Sequence, residues 1–201
     1  MDRFPYFRFP RFVMVQTTTR CNASCIFCPH PVVTRGVAHQ EMSTSLFIKL
    51  MRECGRHDEL QGLMLFLMNE PLADRRIVEL IGHARAANRS AKILLVTNGC
   101  ALDTHMSRAL VGSHLTHITI SIHAHWPRTY QRLTGRRDFE QVRRNIVQFV
   151  RERNDRRPSL SVDIRLIGAH QFLDMDEIAE AETYWHEFDV SSVEVLLGHT
   201  N

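Results

Sequence analysis

The chain has 201 residues, 44% apolar and 23% charged, an ordinary balance for a globular protein with enough apolar side chain to bury a core. Lys plus Arg (25) exceeds Asp plus Glu (22) only slightly, so charge does not point to nucleic acid. No apolar run is long enough to span a bilayer, and the start MDRFPYFRFPRF lacks the apolar core of a signal peptide. Five cysteines, three of them crowded between positions 21 and 28, suit a metal site better than a disulfide framework. A single cytoplasmic domain over residues 1–201 is expected.

In chain order, the first expected strand is Phe12–Thr17. The cysteine segment follows it, and then a helix capped by Ser43 or Thr44, with Leu46, Phe47, Leu50, Met51 and Cys54 on one face. Gly62–Leu67 reads as the second strand, and Asp74 opens a helix carrying Ile77, Leu80, Ile81 and Ala84. Lys92–Thr97 is the third strand, and Asp103 precedes a helix with Met106, Leu110 and Val111. The fourth strand, His117–Ile122, leads to a helix striped by Phe139, Val142, Ile146, Phe149 and Val150. Leu160–Ile167 is the fifth strand. Asp174 opens the fifth helix, with Ile178, Ala181, Trp185 and Phe188 inside, and Ser192–Leu197 is the sixth strand.

Six strands alternating with five helices predict an α/β fold of right-handed crossovers with a parallel sheet, closed into a partial (β/α)6 TIM-like barrel. The chain stops just after the sixth strand, so a C-terminal truncation is one reading of its length. In such folds ligands gather at the carboxyl ends of the strands. The unusual residues fall there: the cysteines after the first strand, Met68-Asn69-Glu70-Pro71 after the second, Asn98-Gly99-Cys100 after the third, and His123-Ala124-His125-Trp126 after the fourth.

The cysteine segment reads Thr19-Arg20-Cys21-Asn22-Ala23-Ser24-Cys25-Ile26-Phe27-Cys28-Pro29-His30. Three thiolates in one loop can hold a [4Fe–4S] cluster while leaving one iron open for a ligand. The competing reading is a zinc site on Cys21, Cys25, Cys28 and His30, in a non-catalytic binding module.

Cys21-x-x-x-Cys25-x-x-Cys28, with an aromatic before the last cysteine, resembles the signature of the radical S-adenosylmethionine (radical SAM) superfamily. Asn69-Glu70-Pro71-Leu72 is similar to its Gly-Gly-Glu-Pro motif, with Asn69 in place of the second glycine. Leu95-Val96-Thr97-Asn98-Gly99 is similar to its third-strand ending. Ile120-Ser121-Ile122, with Tyr130, Thr134-Gly135 and Phe139, resembles the branch that modifies peptides and natural products.

The resemblance implies a [4Fe–4S] cluster on Cys21, Cys25 and Cys28 and S-adenosyl-L-methionine as cofactors. It implies an enzyme that forms a 5′-deoxyadenosyl radical and takes hydrogen from a peptide or small-molecule substrate. It places Phe27 near adenine, Glu70 as acceptor of the SAM ammonium group, Ser121 near the ribose and Arg165 near the SAM carboxylate. Asn69 is the non-glycine residue best able to keep a left-handed backbone where the family has glycine. His123, just past Ser121, is the candidate substrate contact. Asn98-Gly99 reads as a turn, Cys54 as core. Two further cysteines cannot supply an auxiliary cluster. A flavodoxin- or ferredoxin-like electron donor is implied; a membrane or nucleic-acid partner is not. The arginines of the fourth helix, from Arg136 to Arg157, read as a solvated face or as a docking surface for an acidic donor or a leader peptide.

Overall fold

The computed structural model describes residues 9–169 and 174–198. Residues 1–8, which carry most of the segment tested above for a signal peptide, and the tail His199–Asn201 lie outside it. Six strands form one sheet: β1 (Phe12–Met14), β2 (Gly62–Met64), β3 (Lys92–Thr97), β4 (His117–Ser121), β5 (Ser161–Ala169) and β6 (Ser192–Gly198). All neighbours are parallel and the order is β1-β2-β3-β4-β5-β6. There is no central reversal. Crossovers of one hand between successive strands put every helix on the same side of the sheet, and the other side becomes the concave interior of an open barrel. Among the described residues no helix is long and apolar enough to cross a membrane.

The helices are α1 (His30–Val33), α2 (Thr44–Cys54), α3 (Ile77–Ala87), α4 (Thr104–Val111), α5 (Pro127–Thr134), α6 (Phe139–Arg156) and α7 (Met175–His186). Sequence periodicity anticipates five of them; α1 is too short to show a stripe, and the buried face of α5 is half threonine. The Ser43, Asp103 and Asp174 side chains accept from the backbone N–H of Leu46, Met106 and Glu177, as N-caps should. Asp74 does not cap α3. Its carboxylate accepts from the Arg76 backbone N–H at 3.0 Å and from the Arg76 guanidinium through two bonds of 2.9 Å. The helix therefore begins at Ile77. Leu46, expected on the buried face of α2, is exposed, and Phe188 lies in the turn after α7.

β1 and β2 are shorter than the sequence suggests. Val15 N–H and Leu65 N–H each extend the ladder by one bond, to Met64 O and Leu94 O, and then both chains leave to build the loops described below. The register fixes the two faces. Leu63, Ile93, Leu95, Ile118, Ile120, Val162, Ile164 and Leu166 are completely buried and form the layer under the helices. The alternate positions line the concave side. They are mostly apolar over β1–β3 (Phe12, Met14, Leu94, Val96, with Lys92 at the start of β3) and mostly polar over β4–β6 (Thr119, Ser121, Asp163, Arg165, Glu194, with Ile167 and Leu196 towards the end).

Two glycines hold left-handed turns at the active end. Gly99 follows β3 with φ +76°, and a Cβ there would stand 3.1 Å from both Ile120 and Ile146 side-chain atoms. Gly135 ends α5 with φ +73°, and a Cβ there would meet Ser24 only at 3.6 Å. Gly135→Ala is expected to cost about 1 kcal/mol, from backbone strain alone. Gly99→Ala adds overpacking, for a total of about 2–4 kcal/mol. Urea midpoints at constant m-value check the order; equal losses would contradict the packing account.

Candidate active site at the carboxyl ends of the strands

The cysteine loop has no regular structure of its own, so its backbone groups must find partners elsewhere. Ser24 N–H donates to Thr134 O at 3.0 Å and Ile26 N–H to Leu133 O at 2.9 Å. These are carbonyls of the last turn of α5, which lack intrahelical donors. Asn98 Nδ2 donates to Asn22 Oδ1 at 2.6 Å, and Arg136 Nη1 donates to Asn22 O. Arg136 is itself held by a two-pronged ion pair with Asp138. Glu70 N–H donates to Arg20 O at 2.9 Å. The loop is thus hung from the ends of β2, β3 and α5. Tyr130, Thr134 and Gly135, noted in the sequence only as a likeness, turn out to build the ledge that carries it. Thr134 Oγ1 donates to Tyr130 O, and Arg136 N–H donates to Thr134 Oγ1.

Cys21, Cys25 and Cys28 are free thiols, each half-buried. Burial and the two neighbouring sulfurs push the Cys25 thiol up to about 12, and burial raises Cys21 as well. Cys21 and Cys25 therefore favour the protonated form by themselves, and a bound cation that makes them thiolates releases protons as it binds. Among the described residues no three His, Cys, Asp or Glu side chains converge closely enough to hold one metal ion. His30, the fourth ligand of the zinc reading, is buried, with Nε2 bonded to Thr19 O at 2.8 Å.

Glu70 is buried between the ends of β2 and β3. Oε1 accepts from Leu72 N–H at 3.0 Å and Thr97 Oγ1 at 2.6 Å, and Oε2 accepts from Asn98 N–H at 2.8 Å. Burial raises its pKa and these three donors pull it back down. The carboxylate thus fastens two strand ends, and one lone-pair position on Oε2 remains. Asn98, read from sequence as a turn, is part of the same tie. Asn69 Oδ1 accepts from Leu67 N–H at 3.1 Å, and its Nδ2 is buried without a partner. Among the described residues the left-handed non-glycine positions are His123 and Asp189. Asn69 therefore does not use the left-handed backbone that was expected to excuse it.

The end of β4 supplies Ser121 and His123. Ser121 Oγ is buried without a partner. His123 is left-handed, with φ 67°, and meets Phe27 edge to face at 4.9 Å between ring centroids. Ile167 N–H donates to its Nδ1 at 3.3 Å, so the ring proton sits on Nε2. Arg165 lies on the concave face and is paired with Glu194 through bonds of 2.7 Å from Nε and Nη2. Burial, and then the Arg165 charge, depress the His123 pKa to about 3. The unfolded chain takes up this proton near pH 6.5, so the contribution of His123 to stability is complete above that and is lost as pH falls towards 3. His123 is expected to show no imidazole titration between pH 5 and 8 by NMR, and His123→Gln to weaken the acid sensitivity of unfolding. A midpoint near 6.5 would show that the ring is solvated.

Sequence reasoning missed Glu177. It is completely buried, and its Oε1 accepts from both His125 N–H and Trp126 N–H at 2.8 Å. Trp126 Nε1 donates to Glu180 Oε2 at 2.8 Å. These bonds pin the loop after β4 to α7. A carboxylate in the first turn of a helix reads as an ordinary cap contribution, so nothing local distinguished it.

The model of the Radical SAM superfamily matches residues 15–186. The chain belongs to the radical SAM superfamily. The PqqA peptide cyclase of Xanthomonas axonopodis pv. citri (strain 306) is 28% identical over 144 residues, 72% of this chain and 37% of that protein. Streptococcus suis SuiB bound to its precursor peptide SuiA superposes with a TM-score of 0.74 at 15% identity, over 93% of this chain and 39% of SuiB. SuiB bound to S-adenosylmethionine gives 0.73. Methylornithine synthase (PylB) gives 0.68 at 12% identity, over 92% of this chain and 52% of that one. At such identities the solved structures speak for the fold. This radical SAM chain spans well under half the length of PqqA peptide cyclase and of SuiB. The radical SAM superfamily works with a [4Fe–4S] cluster and S-adenosylmethionine, and these are the cofactors of this enzyme.

Proposed function

We propose that residues 1–201 form one radical SAM domain, acting in the cytoplasm, that removes hydrogen from a peptide substrate. The peptide-acting relatives support a peptide over a small molecule. When bound, the reduced cluster supplies an electron that splits S-adenosylmethionine into methionine and a 5′-deoxyadenosyl radical, the hydrogen-abstracting species. A flavodoxin- or ferredoxin-like protein is the electron source in this reading.

The residues of this chain hold and shield these groups. Cys21, Cys25 and Cys28 ligate the cluster on a loop already fixed by α5. The observation that carries the reading is the cysteine loop itself: three free, half-buried thiols on one loop whose backbone is tied to the ends of β2, β3 and α5. Asn69 Nδ2 suits a carboxylate and Ser121 Oγ a ribose hydroxyl. Glu70 positions the strand ends and keeps one acceptor position for the ammonium group. Phe27 and His123 form one wall, with Phe27 beside adenine and the His123 Nε2–H available to substrate. Arg165, neutralised by Glu194, is a weaker partner for the SAM carboxylate than its sequence position suggests.

The test is anaerobic reconstitution followed by dithionite and SAM. Methionine and 5′-deoxyadenosine should form in equal amounts, and Asn69→Leu and Ser121→Ala should weaken SAM binding without loss of iron. Full iron with neither SAM binding nor cleavage would overturn the proposal.

A further inference from the structure

The net charge of the chain is small, yet its acidic residues are unevenly placed. No Asp or Glu occurs between Asp2 and Glu41 or between Asp103 and Asp138. The first interval contains the whole cysteine loop and the second contains all of α5, and the two are bonded to each other through Ser24, Ile26 and Asn22. Between them runs a cleft of about 460 Å³ whose lining includes Asn22, Ala23 and Ser24 of the cysteine loop and Arg136, Arg137 and Asp138.

Around the cleft two cations are not neutralised: Arg137 and Arg128 are exposed and, among the described residues, make no hydrogen bond or ion pair. The nearest carboxylates along the chain are already engaged: Asp138 by Arg136 and Glu140 by Arg143. By contrast, the arginines further along α6 are interleaved with acids, as Arg156 and Arg108 are with Glu152. The solvated-face reading fits that part of α6 and not the α5 end.

We infer that the face formed by α5, Arg137 and the backbone of Asn22–Ser24 is the docking surface for an acidic one-electron carrier protein of the flavodoxin type. Steering by a one-sign patch speeds encounter without requiring a large or tight interface, which suits a partner that must leave after each transfer. In each encounter the carrier is oxidised by one electron and the cluster is reduced by one. The inference rests on the function proposed above, and it goes further in naming the face on which the carrier docks.

The test uses reconstituted protein with a flavodoxin as probe and Arg128→Glu/Arg137→Glu as the variant. Two readouts are taken: the flavodoxin dissociation constant by calorimetry, and SAM cleavage driven by reduced flavodoxin or by dithionite. At low ionic strength the variant should lose about tenfold or more in both affinity and flavodoxin-driven rate, with the dithionite-driven rate unchanged. Added salt should bring the wild type down towards the variant. Arg52→Glu/Arg89→Glu, on exposed residues of α2 and the α3–β3 turn, makes the same change in net charge and should alter neither readout more than twofold. Equal losses in this control, or an unchanged dissociation constant in the α5 variant, would overturn the docking surface. So would a variant that loses binding of an acidic peptide but not of flavodoxin. Failure of dithionite to drive cleavage in the wild type would instead overturn the function, since the binding readout is independent of it.

Discussion

Cys25→Ala is expected to abolish iron binding: from about four irons per chain after anaerobic reconstitution to almost none, with the absorbance near 400 nm lost along with SAM cleavage. The loop frame should survive, because Ser24 and Ile26 are held through their backbone N–H groups and Cys28 N–H donates to the backbone carbonyl of Cys25, not to its sulfur. Circular dichroism and the melting temperature of the metal-free variant should therefore match those of the metal-free wild type. Cys54→Ala and Cys100→Ala should retain full iron. Cys54 belongs to the core face of α2, and Cys100 Sγ approaches the Tyr130 hydroxyl at 3.9 Å. Full iron in Cys25→Ala would remove the loop as the cluster site.

Glu70→Ala is expected to be the most damaging single change outside the cysteines. It leaves Thr97 Oγ1 and the N–H groups of Leu72 and Asn98 without their acceptor inside the protein, at a cost of about 3 kcal/mol or more. SAM affinity should fall about tenfold or more as well, since Asn69 and Asn98 are placed by the same tie. Glu70→Gln keeps an oxygen for Leu72 and Thr97 but turns an NH₂ towards Asn98 N–H, so it should lose about 1–2 kcal/mol. Because burial raises the folded-state pKa of Glu70, the fold favours its protonated carboxyl, an advantage complete below the unfolded pKa and lost as pH rises. The gap between wild type and Glu70→Gln should therefore narrow above the ordinary carboxylate range. Urea titrations at several pH values, with calorimetry for SAM, measure both effects. A stable Glu70→Ala that binds SAM normally would reduce the second-strand motif to a turn.

The parallel order of strands was readable because each strand is a short apolar run and every long helix carries an apolar stripe. Ile118, Ile120, Val162 and Ile164 could only be covered on the helix side. The cysteines were readable because their spacing is itself the chemistry. The role of Glu70 was only half visible: its position suggested a cofactor contact, and its three donors come from residues brought close by strand pairing, which sequence spacing does not show. Arg165 illustrates the same limit. Its inward direction and its Glu194 partner depend on the β5–β6 register, and one residue of slip would have turned it out. The α5 ledge was invisible because its buried face is Thr129, Tyr130, Leu133 and Thr134, in which Leu133 is the one aliphatic residue.

The hanging of the cysteine loop also sets an order in time. Neighbouring strands can pair as they emerge, but the loop waits for partners made much later: Asn22 meets Asn98 across 76 residues and Arg136 across 114. At about 5–20 residues per second, the frame is complete only some 6–20 s after the cysteines leave the ribosome. Through that interval the three thiols are unframed, so cluster delivery is a step that follows synthesis of α5 rather than one that guides it.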